Sequence, residues 1–288
     1  MRVANVDGRL ALKGPDGFAD VAVASGGRFG PDPQQAYDRW DDFADWAREF
    51  LAAPGDLASA ARVETGDGAV WGPPVPRPRQ VFAIGLNYRD HIRESGLEVP
   101  GEPAVFTKFP TALTGHDRPV ELPEGLVDWE TELVVVIGRR CHRATRESAW
   151  SHVAGLTVGQ DLSERKLQLT GPAPQFSLGK SYPGFAPTGP ELVTPDEFAD
   201  PGDLELGCRL AGGETLQKGR TSEMVFDVPE LITRLSAVCP LLPGDLVFTG
   251  TPAGIGGART PQKFLAPGDV LETWIEGIGT LRTPLTAP

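Results

Sequence analysis

The amino-acid sequence predicts a mainly β protein with short helices, an α+β fold. Beyond residue 80, short β-type runs recur between Gly and Pro, among them VFAIG, AVFTKF, ELVVVIG, GLTVGQ, LELGCRLAG and DLVFTG. These runs are too frequent and too closely bounded by turns for the regular alternation of a parallel βαβ fold. At 288 residues, the chain has room for one large domain or two unequal ones.

The first 75 residues are predicted to form a small N-terminal α/β domain. RVANVDGRLAL predicts two short strands around Asp7-Gly8, a dipeptide that tolerates the positive φ of a tight hairpin. From Gln34 to Leu51, apolar residues recur at helical spacing, and Pro54-Gly55 ends the pattern. The prolines of WGPPVPRPRQ predict an extended connector. We therefore expect a boundary near residue 75, with the larger domain at residues 76–288.

Composition and charge restrict the class of protein. The formal net charge of −12 argues against nucleic acid as a partner, because such binding depends on a basic face. The chain has no apolar run of the roughly 18 residues that a membrane span needs, and MRVANVDGRL lacks the layout of a signal peptide. A cytoplasmic protein without membrane association is expected. The cysteines, Cys141, Cys208 and Cys239, show no paired spacing, so neither disulfides nor a thiolate metal site is expected.

The segment VDWETELVVVIG, residues 127–138, places three acids at the start of a strand-like run. Asp128, Glu130 and Glu132 alternate along the chain, so they share one strand face, and that face continues into valines. Both faces then become apolar, as in a strand covered on two sides. Carboxylates entering such a region repel each other and lose hydration unless a divalent cation or a pair of Arg or Lys side chains compensates them. The alternative is a solvated strand end.

A further acid, Asp161, lies in VGQDLSERKLQ, where a strand-like run passes into a helix-like one. Ligand-binding residues often lie on such connections. The same pattern, an Asp three residues before Glu164, is also a helix N-cap signature. Taken alone, the pattern favours the cap.

NYRDHIRESG, residues 87–96, predicts a short helix that ends at Gly96. His91 and Glu94 are three residues apart and therefore lie on one helical face. An imidazole beside a carboxylate is the usual general-base pair, because the acid fixes the tautomer and stabilises the imidazolium. This spacing is common by chance on surface helices, but among four histidines His91 is the best candidate for a base.

Two lysines and one loop complete the candidate site. Lys180 in SLGKSYPGF and Lys108 in VFTKFP lie among apolar neighbours, which suits a cation that receives a substrate carboxylate in a pocket. For Lys108, a stem that covers apolar surface with its ammonium in water is the favoured alternative. FTGTPAGIG, residues 248–256, is a glycine-rich loop that matches neither a P-loop nor GxGxxG. It is either a tight turn or a set of backbone amides that, with Thr251, faces a substrate oxyanion.

Taken in order, these segments resemble the fumarylacetoacetate hydrolase family. GLNYRDHIRESG is similar to its HxxE segment, DWETELVVVIG to its ExE strand, VGQDLSERKLQ to its metal-Asp segment and SLGKSYPGFAPTGPELVT to its lysine segment. The resemblance covers roughly residues 80 to 282 and is to bacterial acylpyruvase-like and 2-hydroxyhepta-2,4-diene-1,7-dioate isomerase-like members. It implies the family's C-terminal β-roll domain, a homodimer, a small keto-acid substrate, and Mg²⁺ or Mn²⁺ as cofactor.

The resemblance also assigns residues, position by position. It implies that Glu130, Glu132 and Asp161 bind the metal, and that Asp128 either supports a ligand from outside or is a surface acid. Gln160 stands where the family often has Asn, which leaves the neighbouring ligand in place. The implied catalytic residues are His91, Glu94 and Lys180, and those near substrate are Arg165, Gln168 and Thr251, with Lys108 added from its own surroundings.

The resemblance implies an enzyme that cleaves a C–C bond in a 2,4-dioxo acid such as an acylpyruvate. In this hypothesis the metal chelates the 1-carboxylate and 2-oxo oxygens, and His91, oriented by Glu94, activates a water that attacks the distal carbonyl. A metal-stabilised enolate of pyruvate then leaves with help from Lys180. Decarboxylation of oxaloacetate-like acids and isomerisation of 2-hydroxydienedioates are alternatives on the same site. A non-catalytic metal- or ligand-binding relative is the alternative of another class.

Overall fold

The fold is taken from a computed structural model of the chain, which describes residues 1–52, 61–66 and 68–288. The described residues form 19 strands and seven helices, and the longest helix has 13 residues. The prediction of a mainly β protein with short helices is therefore confirmed. None of the helices in this described part of the chain is long and apolar enough to cross a bilayer.

The strands and helices are numbered in chain order. The strands are β1 (Arg2–Val6), β2 (Arg9–Gly14), β3 (Gly17–Asp20), β4 (Arg62–Val63), β5 (Trp71–Gly72), β6 (Val81–Gly85), β7 (Ala104–Thr107), β8 (Leu113–Thr114), β9 (Val120–Glu121), β10 (Val127–Asp128), β11 (Thr131–Ile137), β12 (Val153–Gln160), β13 (Ser163–Glu164), β14 (Ala186–Val193), β15 (Glu205–Leu210), β16 (Thr215–Arg220), β17 (Leu246–Phe248), β18 (Val270–Ile275) and β19 (Gly279–Thr286). The helices are α1 (Val21–Ala24), α2 (Gln35–Asp38), α3 (Trp40–Ala52), α4 (Arg89–Glu94), α5 (Arg165–Gln168), α6 (Phe176–Gly179) and α7 (Val228–Val238).

Two sheets pack against each other. The larger has twelve strands in the order β4-β3-β2-β1-β14-β12-β11-β17-β6-β7, with β5 beside β1 and β8 beside β14. The smaller has the order β16-β15-β18-β19-β9, and β10 pairs with β13 as a separate ribbon. Most neighbours are antiparallel, whereas β6 with β17, β8 with β14 and β9 with β19 are parallel. The central strands β11, β12 and β14 contact β15, β18 and β19 of the smaller sheet.

Strand β11 is covered on both faces. All seven of its residues are buried. Val134 and Val136 belong to one apolar cluster, whereas Leu133, Val135 and Ile137 belong to another. The prediction of a strand covered on two sides is confirmed, and the solvated strand end is wrong. The acids at the start of this strand therefore lie where water has little access to them.

The N-terminal segment follows the sequence pattern in part. The predicted hairpin is present, with Asp7 and Gly8 at φ of 52° and 75° between β1 and β2. The single helix predicted from Gln34 to Leu51 is wrong, because Arg39 at φ −137° and ψ 44° separates α2 from α3. At this break Tyr37 stacks on the next helix and donates a hydrogen bond from its hydroxyl to the Pro74 carbonyl, 3.2 Å away.

The N-terminal strands are continuous with the rest of the molecule. Strand β1 pairs with β14, and Trp40 and Phe43 of α3 share an apolar cluster with Val134. The division near residue 75 stays a prediction. The predicted helix end at Pro54-Gly55 lies outside the described residues.

Gly159 of β12 carries a prediction about packing against β11. A Cβ there would lie 2.4 Å from Val134 Cγ2 and 2.9 Å from Phe248 Cε1. We expect Gly159→Ala to lower the free energy of unfolding by about 1–3 kcal/mol, because a close-packed core admits another methyl group only by shifting its neighbours. Urea unfolding measures this change. Gly101→Ala is the control, since a Cβ at Gly101 meets nothing within 4 Å, and an equal loss in both variants would contradict the packing argument.

Candidate metal centre and active site

The three predicted metal ligands come together. Glu130 directly precedes β11, Glu132 is the second residue of that strand, and Asp161 directly follows β12. The Asp161 amide donates to the Glu130 carbonyl at 2.9 Å, which joins the two segments. Carboxylate oxygens of Glu130, Glu132 and Asp161, called the carboxylate cluster below, lie within 4.8 Å of one another. These residues are only 7%, 1% and 0% exposed, respectively.

Two buried lysines surround Asp161. Lys180 donates from Nζ to Asp161 Oδ2 at 2.6 Å and to Glu130 Oε2 at 2.8 Å. Lys108 Nζ donates to Asp161 Oδ1 at 2.5 Å and also to the Lys180 carbonyl. Lys108 is fully buried, so the favoured alternative of an ammonium in water is wrong.

Asp161 does not cap a helix. The two residues that follow Leu162 form β13, and α5 begins only at Arg165. The cap of α5 is Glu164, whose carboxylate accepts hydrogen bonds from the amides of Lys166 and Leu167. The cap favoured by the sequence pattern is wrong because the chain stays extended for two further residues and pairs with β10.

Among the described residues, Glu132 is the acid of the carboxylate cluster that forms no ion pair with a lysine or arginine, whereas Glu130 and Asp161 each form such pairs. The Glu132 carboxylate accepts a hydrogen bond from the Gly250 amide at 2.7 Å. Burial, together with the charges of Asp161 and Glu130, raises the pKa of Glu132 well above its ordinary value. Burial also acts on Glu130, but there Lys180 and Arg165 lower the pKa to about 2.

The donor set fits a divalent cation. With Asp128, the region holds four buried acids against three cations, Lys108, Lys180 and Arg165, which leaves a surplus of negative charge. Three carboxylates offer only oxygen donors, which hard cations such as Mg²⁺ and Mn²⁺ prefer. A divalent cation beside Glu132 would remove the electrostatic cost of ionising that carboxylate.

The predicted base pair lies on α4, which ends before Gly96 as expected. His91 Nδ1 lies 2.7 Å from Glu94 Oε1, and in the tautomer that donates from Nδ1 this contact is a hydrogen bond. Glu94 Oε2 accepts from the Gly254 amide at 2.9 Å. The carboxylate thus links the imidazole to the glycine-rich loop. Because Nδ1 faces Glu94, Nε2 is the nitrogen left to act on a ligand.

The glycine-rich loop directs its amides at protein acids. Gly250 donates to Glu132 and Gly254 to Glu94, while Gly256 and the next residue, Gly257, donate to the two oxygens of Asp128. These four amides therefore bind protein carboxylates, and the alternative that the loop, with Thr251, faces a substrate oxyanion stays a prediction.

The same loop also makes side-chain contacts that fix its position. Trp129 donates from Nε1 to the Gly254 carbonyl at 3.1 Å. Thr251 lines the cleft described below, and its Oγ accepts from Gln217 Nε2 at 2.8 Å.

Asp128 is a buried partner of Arg165, so the alternative of a surface acid is wrong. It is 0% exposed and accepts from Arg165 Nε at 2.9 Å and Nη2 at 2.8 Å. Arg165 Nη1 donates in turn to Glu130 Oε1 at 2.6 Å and to Gln168 Oε1 at 3.0 Å. Arg165 therefore joins Asp128 to the carboxylate cluster.

These groups open onto one cleft of about 640 Å³. Most of the predicted site residues line it: His91, Glu94, Glu130, Arg165, Gln168, Lys180 and Thr251. Lys108 is not among the lining residues, and its ammonium is bonded to Asp161 and to the Lys180 carbonyl. The expected contact between Lys108 and substrate does not fit this placement, because the hydrogen bonds of the Lys108 ammonium are made to buried protein atoms.

Sequence reasoning missed two glutamines that fix the site. Gln160 Oε1 accepts from the Glu130 amide at 2.9 Å, and Gln217 Oε1 accepts from the Thr131 amide at the same distance. Gln160 adjoins Asp161, so its position was a usable signal. Gln217 reaches the site from β16 of the smaller sheet, and nothing in its local sequence, LQKGR, indicates this.

Residues 80–286 match the family described as fumarylacetoacetate (FAA) hydrolase, C-terminal. The chain belongs to the fumarylacetoacetate hydrolase family. The mitochondrial oxaloacetate tautomerase FAHD2A of Bos taurus is 45% identical over 210 residues, 72% of this chain and 67% of that protein. A 2,4-didehydro-3-deoxy-L-rhamnonate hydrolase of Sphingomonas sp. (strain SKA58) is 44% identical over 239 residues, 81% of this chain and 82% of that protein.

Solved structures of this family share the fold over the whole chain. A proposed HpcE protein from Mycobacterium smegmatis is 54% identical with a TM-score of 0.92, and the match covers 100% of this chain and 99% of that one. Maleylpyruvate hydrolase from Sphingobium sp. SYK-6, in complex with manganese(II) and pyruvate, is 27% identical with a TM-score of 0.77, covering 100% and 99%. The fold expected for the fumarylacetoacetate hydrolase family is confirmed, and the protein is an enzyme of that family.

Cation binding to the carboxylate cluster is predicted to stabilise the fold. At about 100 times its Kd, Mn²⁺ should raise the free energy of unfolding by about 2.7 kcal/mol. Glu132→Gln should lose most of this gain, because the amide carries no charge for the cation. Without metal, the variant should be at least as stable as the parent, since burial and the charges of Asp161 and Glu130 disfavour an ionised Glu132, and the carbonyl of Gln can still accept from Gly250.

Urea unfolding with Mn²⁺ and with EDTA measures both effects, and electron paramagnetic resonance counts bound Mn²⁺. Glu124→Gln, the same change at an exposed position, is the control. Full Mn²⁺ stabilisation of Glu132→Gln would contradict the assignment of this residue to the metal site.

Asp128 carries a second prediction. Asp128→Asn should lower the free energy of unfolding by about 3–5 kcal/mol, because it removes the charge of one of the two buried carboxylates that pair with Arg165 and leaves Glu130 as the remaining anion. Glu272→Gln breaks the exposed pair with Arg209, a contact of 2.8 Å, and should cost at most about 1 kcal/mol. Unfolding by guanidinium chloride measures the free energy of unfolding of the two variants. Losses of equal size would mean that Asp128 is no more than an ordinary surface acid.

Proposed function

We propose that the protein is a divalent-metal-dependent hydrolase that cleaves a C–C bond in a 2,4-dioxo acid of the acylpyruvate type. One observation carries the proposal: His91, with Nδ1 facing Glu94, lines the same cleft as Glu130 and Lys180. A base, a cluster of carboxylates suited to a metal, and a buried cation therefore meet around one ligand-sized space.

The polar end of the cleft suits a keto-acid head. A divalent cation held by Glu130, Glu132 and Asp161 would supply a fixed double positive charge for the 1-carboxylate and 2-oxo oxygens. Lys180 and Arg165 line the same end and add positive charge on either side of Glu130. All-oxygen ligation favours Mg²⁺ or Mn²⁺ as this cation, and the maleylpyruvate hydrolase structure contains manganese.

His91 supplies the base for the hydrolytic step. Its Nε2 takes a proton from a water molecule, whose oxygen forms a bond to the distal carbonyl carbon, C4. Glu94 holds the imidazole and stabilises the positive charge that the imidazolium carries after this transfer. The Gly254 amide fixes Glu94, so the base keeps its orientation during the reaction.

The C3–C4 bond then breaks, and the carboxylic acid derived from the acyl group is released. The bonding electrons stay with the pyruvate fragment, where the ammonium of Lys180 stabilises the developing negative charge. C3 takes up a proton, which His91 can return, and pyruvate forms. All atoms of substrate and water are then accounted for in the acid and pyruvate.

Keto–enol tautomerisation of oxaloacetate-like acids is a second candidate on the same groups. It is favoured by the 45% identity to an oxaloacetate tautomerase. Here Nε2 of His91 would remove a proton from C3 of the substrate, the 2-oxo oxygen would take up a proton to give the enol, and no water would be consumed. Decarboxylation and isomerisation of 2-hydroxydienedioates would use the same polar end of the cleft.

The test is turnover of acylpyruvates by protein loaded with Mg²⁺ or Mn²⁺. We expect pyruvate and the acyl acid in equal amounts, and His91→Ala should lower kcat by about 10²–10⁴-fold because it removes the general base. Loss of the dioxo absorbance measures cleavage, and separate assays of pyruvate and CO₂ distinguish hydrolysis from decarboxylation.

His142→Ala is the control, because His142 is exposed and does not line the cleft. Bound Mn²⁺ should be unchanged in both variants. If metal-loaded His91→Ala kept full activity, the hydrolytic mechanism would be wrong.

A further inference from the structure

Part of the cleft lining is an apolar surface. The side chains that form this surface come from separate segments of the chain: Leu97, Phe106, Leu126, Phe176, Ile255 and Phe264. The charged lining residues Arg165 and Lys180 both pair with Glu130 of the carboxylate cluster. The cleft therefore offers a charged group of residues to one part of a substrate and apolar side chains to another.

The apolar surface begins directly beside Lys180. Its Nζ lies 5.0 Å from the ring centroid of Phe106, over the ring face. Phe106 packs edge-on against Phe176, with centroids 5.6 Å apart and an interplanar angle of 66°. Substrate atoms that extend past the group bound at Lys180 in this direction meet aromatic carbon.

The cations at the polar end are already paired with protein acids. Lys180 is bonded to Glu130 and Asp161, and Arg165 to Asp128 and Glu130. Among the described residues that line the cleft, Lys166 is the remaining lysine or arginine, and it is exposed at the rim. A second substrate carboxylate placed against the apolar surface would lose hydration without gaining a buried partner.

We propose that this cleft selects keto acids whose tail is uncharged and apolar, an alkyl or aryl group, over dicarboxylic acids. The inference rests on the proposed function, because that function places the keto-acid head at the carboxylate cluster. The volume of about 640 Å³ lies within the range of pockets that enclose drug-sized ligands, so it accommodates a tail much larger than an acetyl group.

The test measures binding of 2-oxo acids, which keep the head and lack the bond to be cleaved. Calorimetry with Mn²⁺-loaded protein compares 2-oxooctanoate with 2-oxooctanedioate, two acids of equal length that differ in a terminal methyl or carboxylate. We expect 2-oxooctanoate to bind at least about tenfold more tightly. From 2-oxobutanoate to 2-oxooctanoate, affinity should rise up to about fourfold for each methylene group buried.

A charge placed on the apolar side should change the preference. Leu97 belongs to the apolar surface and is 55% exposed, so Leu97→Arg should fold normally. It should improve binding of 2-oxooctanedioate by up to about fivefold, the upper range for an exposed ion pair, without improving that of 2-oxooctanoate. Val238→Arg, the same kind of change at a residue that is 86% exposed and not among those lining the cleft, should alter neither.

The outcomes separate this inference from the proposed function. Tighter binding of 2-oxooctanoate with no cleavage of any 2,4-dioxo acid would support the apolar selectivity and overturn the hydrolase. Cleavage of acylpyruvates, together with equal or tighter binding of 2-oxooctanedioate, would support the hydrolase and overturn the apolar selectivity. Failure of both 2-oxo acids to bind at millimolar concentration would overturn the selectivity, since neither head nor tail would then be recognised.

Discussion

The concentration of negative charge at the start of β11 is the constraint on which the rest of the site depends. Asp128, Glu130, Glu132 and Asp161 lie within a close-packed region in which both faces of the strand are covered. Ionised carboxylates persist there only with nearby positive charge. The fold supplies it by bringing three buried or nearly buried cations to the cluster and by leaving oxygen atoms close enough to share a divalent ion. The same arrangement that makes the region costly to fold makes it suited to binding metal.

The parts of the site are mechanically connected. One loop reaches Glu132 through Gly250, Glu94 through Gly254 and Asp128 through Gly256. The acid of the metal cluster, the acid of the base pair and the acid that holds Arg165 therefore share one support. While the loop is in place, it holds the carboxylate cluster and the His91–Glu94 pair at a fixed distance from each other. A displacement of the loop would therefore disturb both groups together.

Sequence reasoning succeeded where the signal was local. The alternation of Asp128, Glu130 and Glu132 and the apolar run after them indicated a strand covered on two sides, and helical spacing placed His91 beside Glu94. It failed where the partner is distant along the chain. Lys108 is held by Asp161 across 53 residues, and Gly250 reaches Glu132 across 118, so neither contact leaves a trace in local periodicity. The break at Arg39 likewise accompanies contacts made by Tyr37 to a later segment, which local helical spacing does not report.

The glycine-rich loop orients the site acids through its main-chain amides. Truncating side chains therefore does not measure what the loop contributes. A glycine offers nothing to remove, and a Cβ added at Gly254 or Gly256 would collide with the backbone oxygen of Leu216 or Lys263, 2.4 Å or 1.8 Å away. A substitution at either glycine therefore disturbs the packing, and its effect does not report on the backbone hydrogen bond alone. Alanine substitution would thus detect the contribution of the acids but not that of the loop that orients them. Replacing single backbone amides of the loop by esters removes one N–H donor at a time and would measure the contribution of each hydrogen bond.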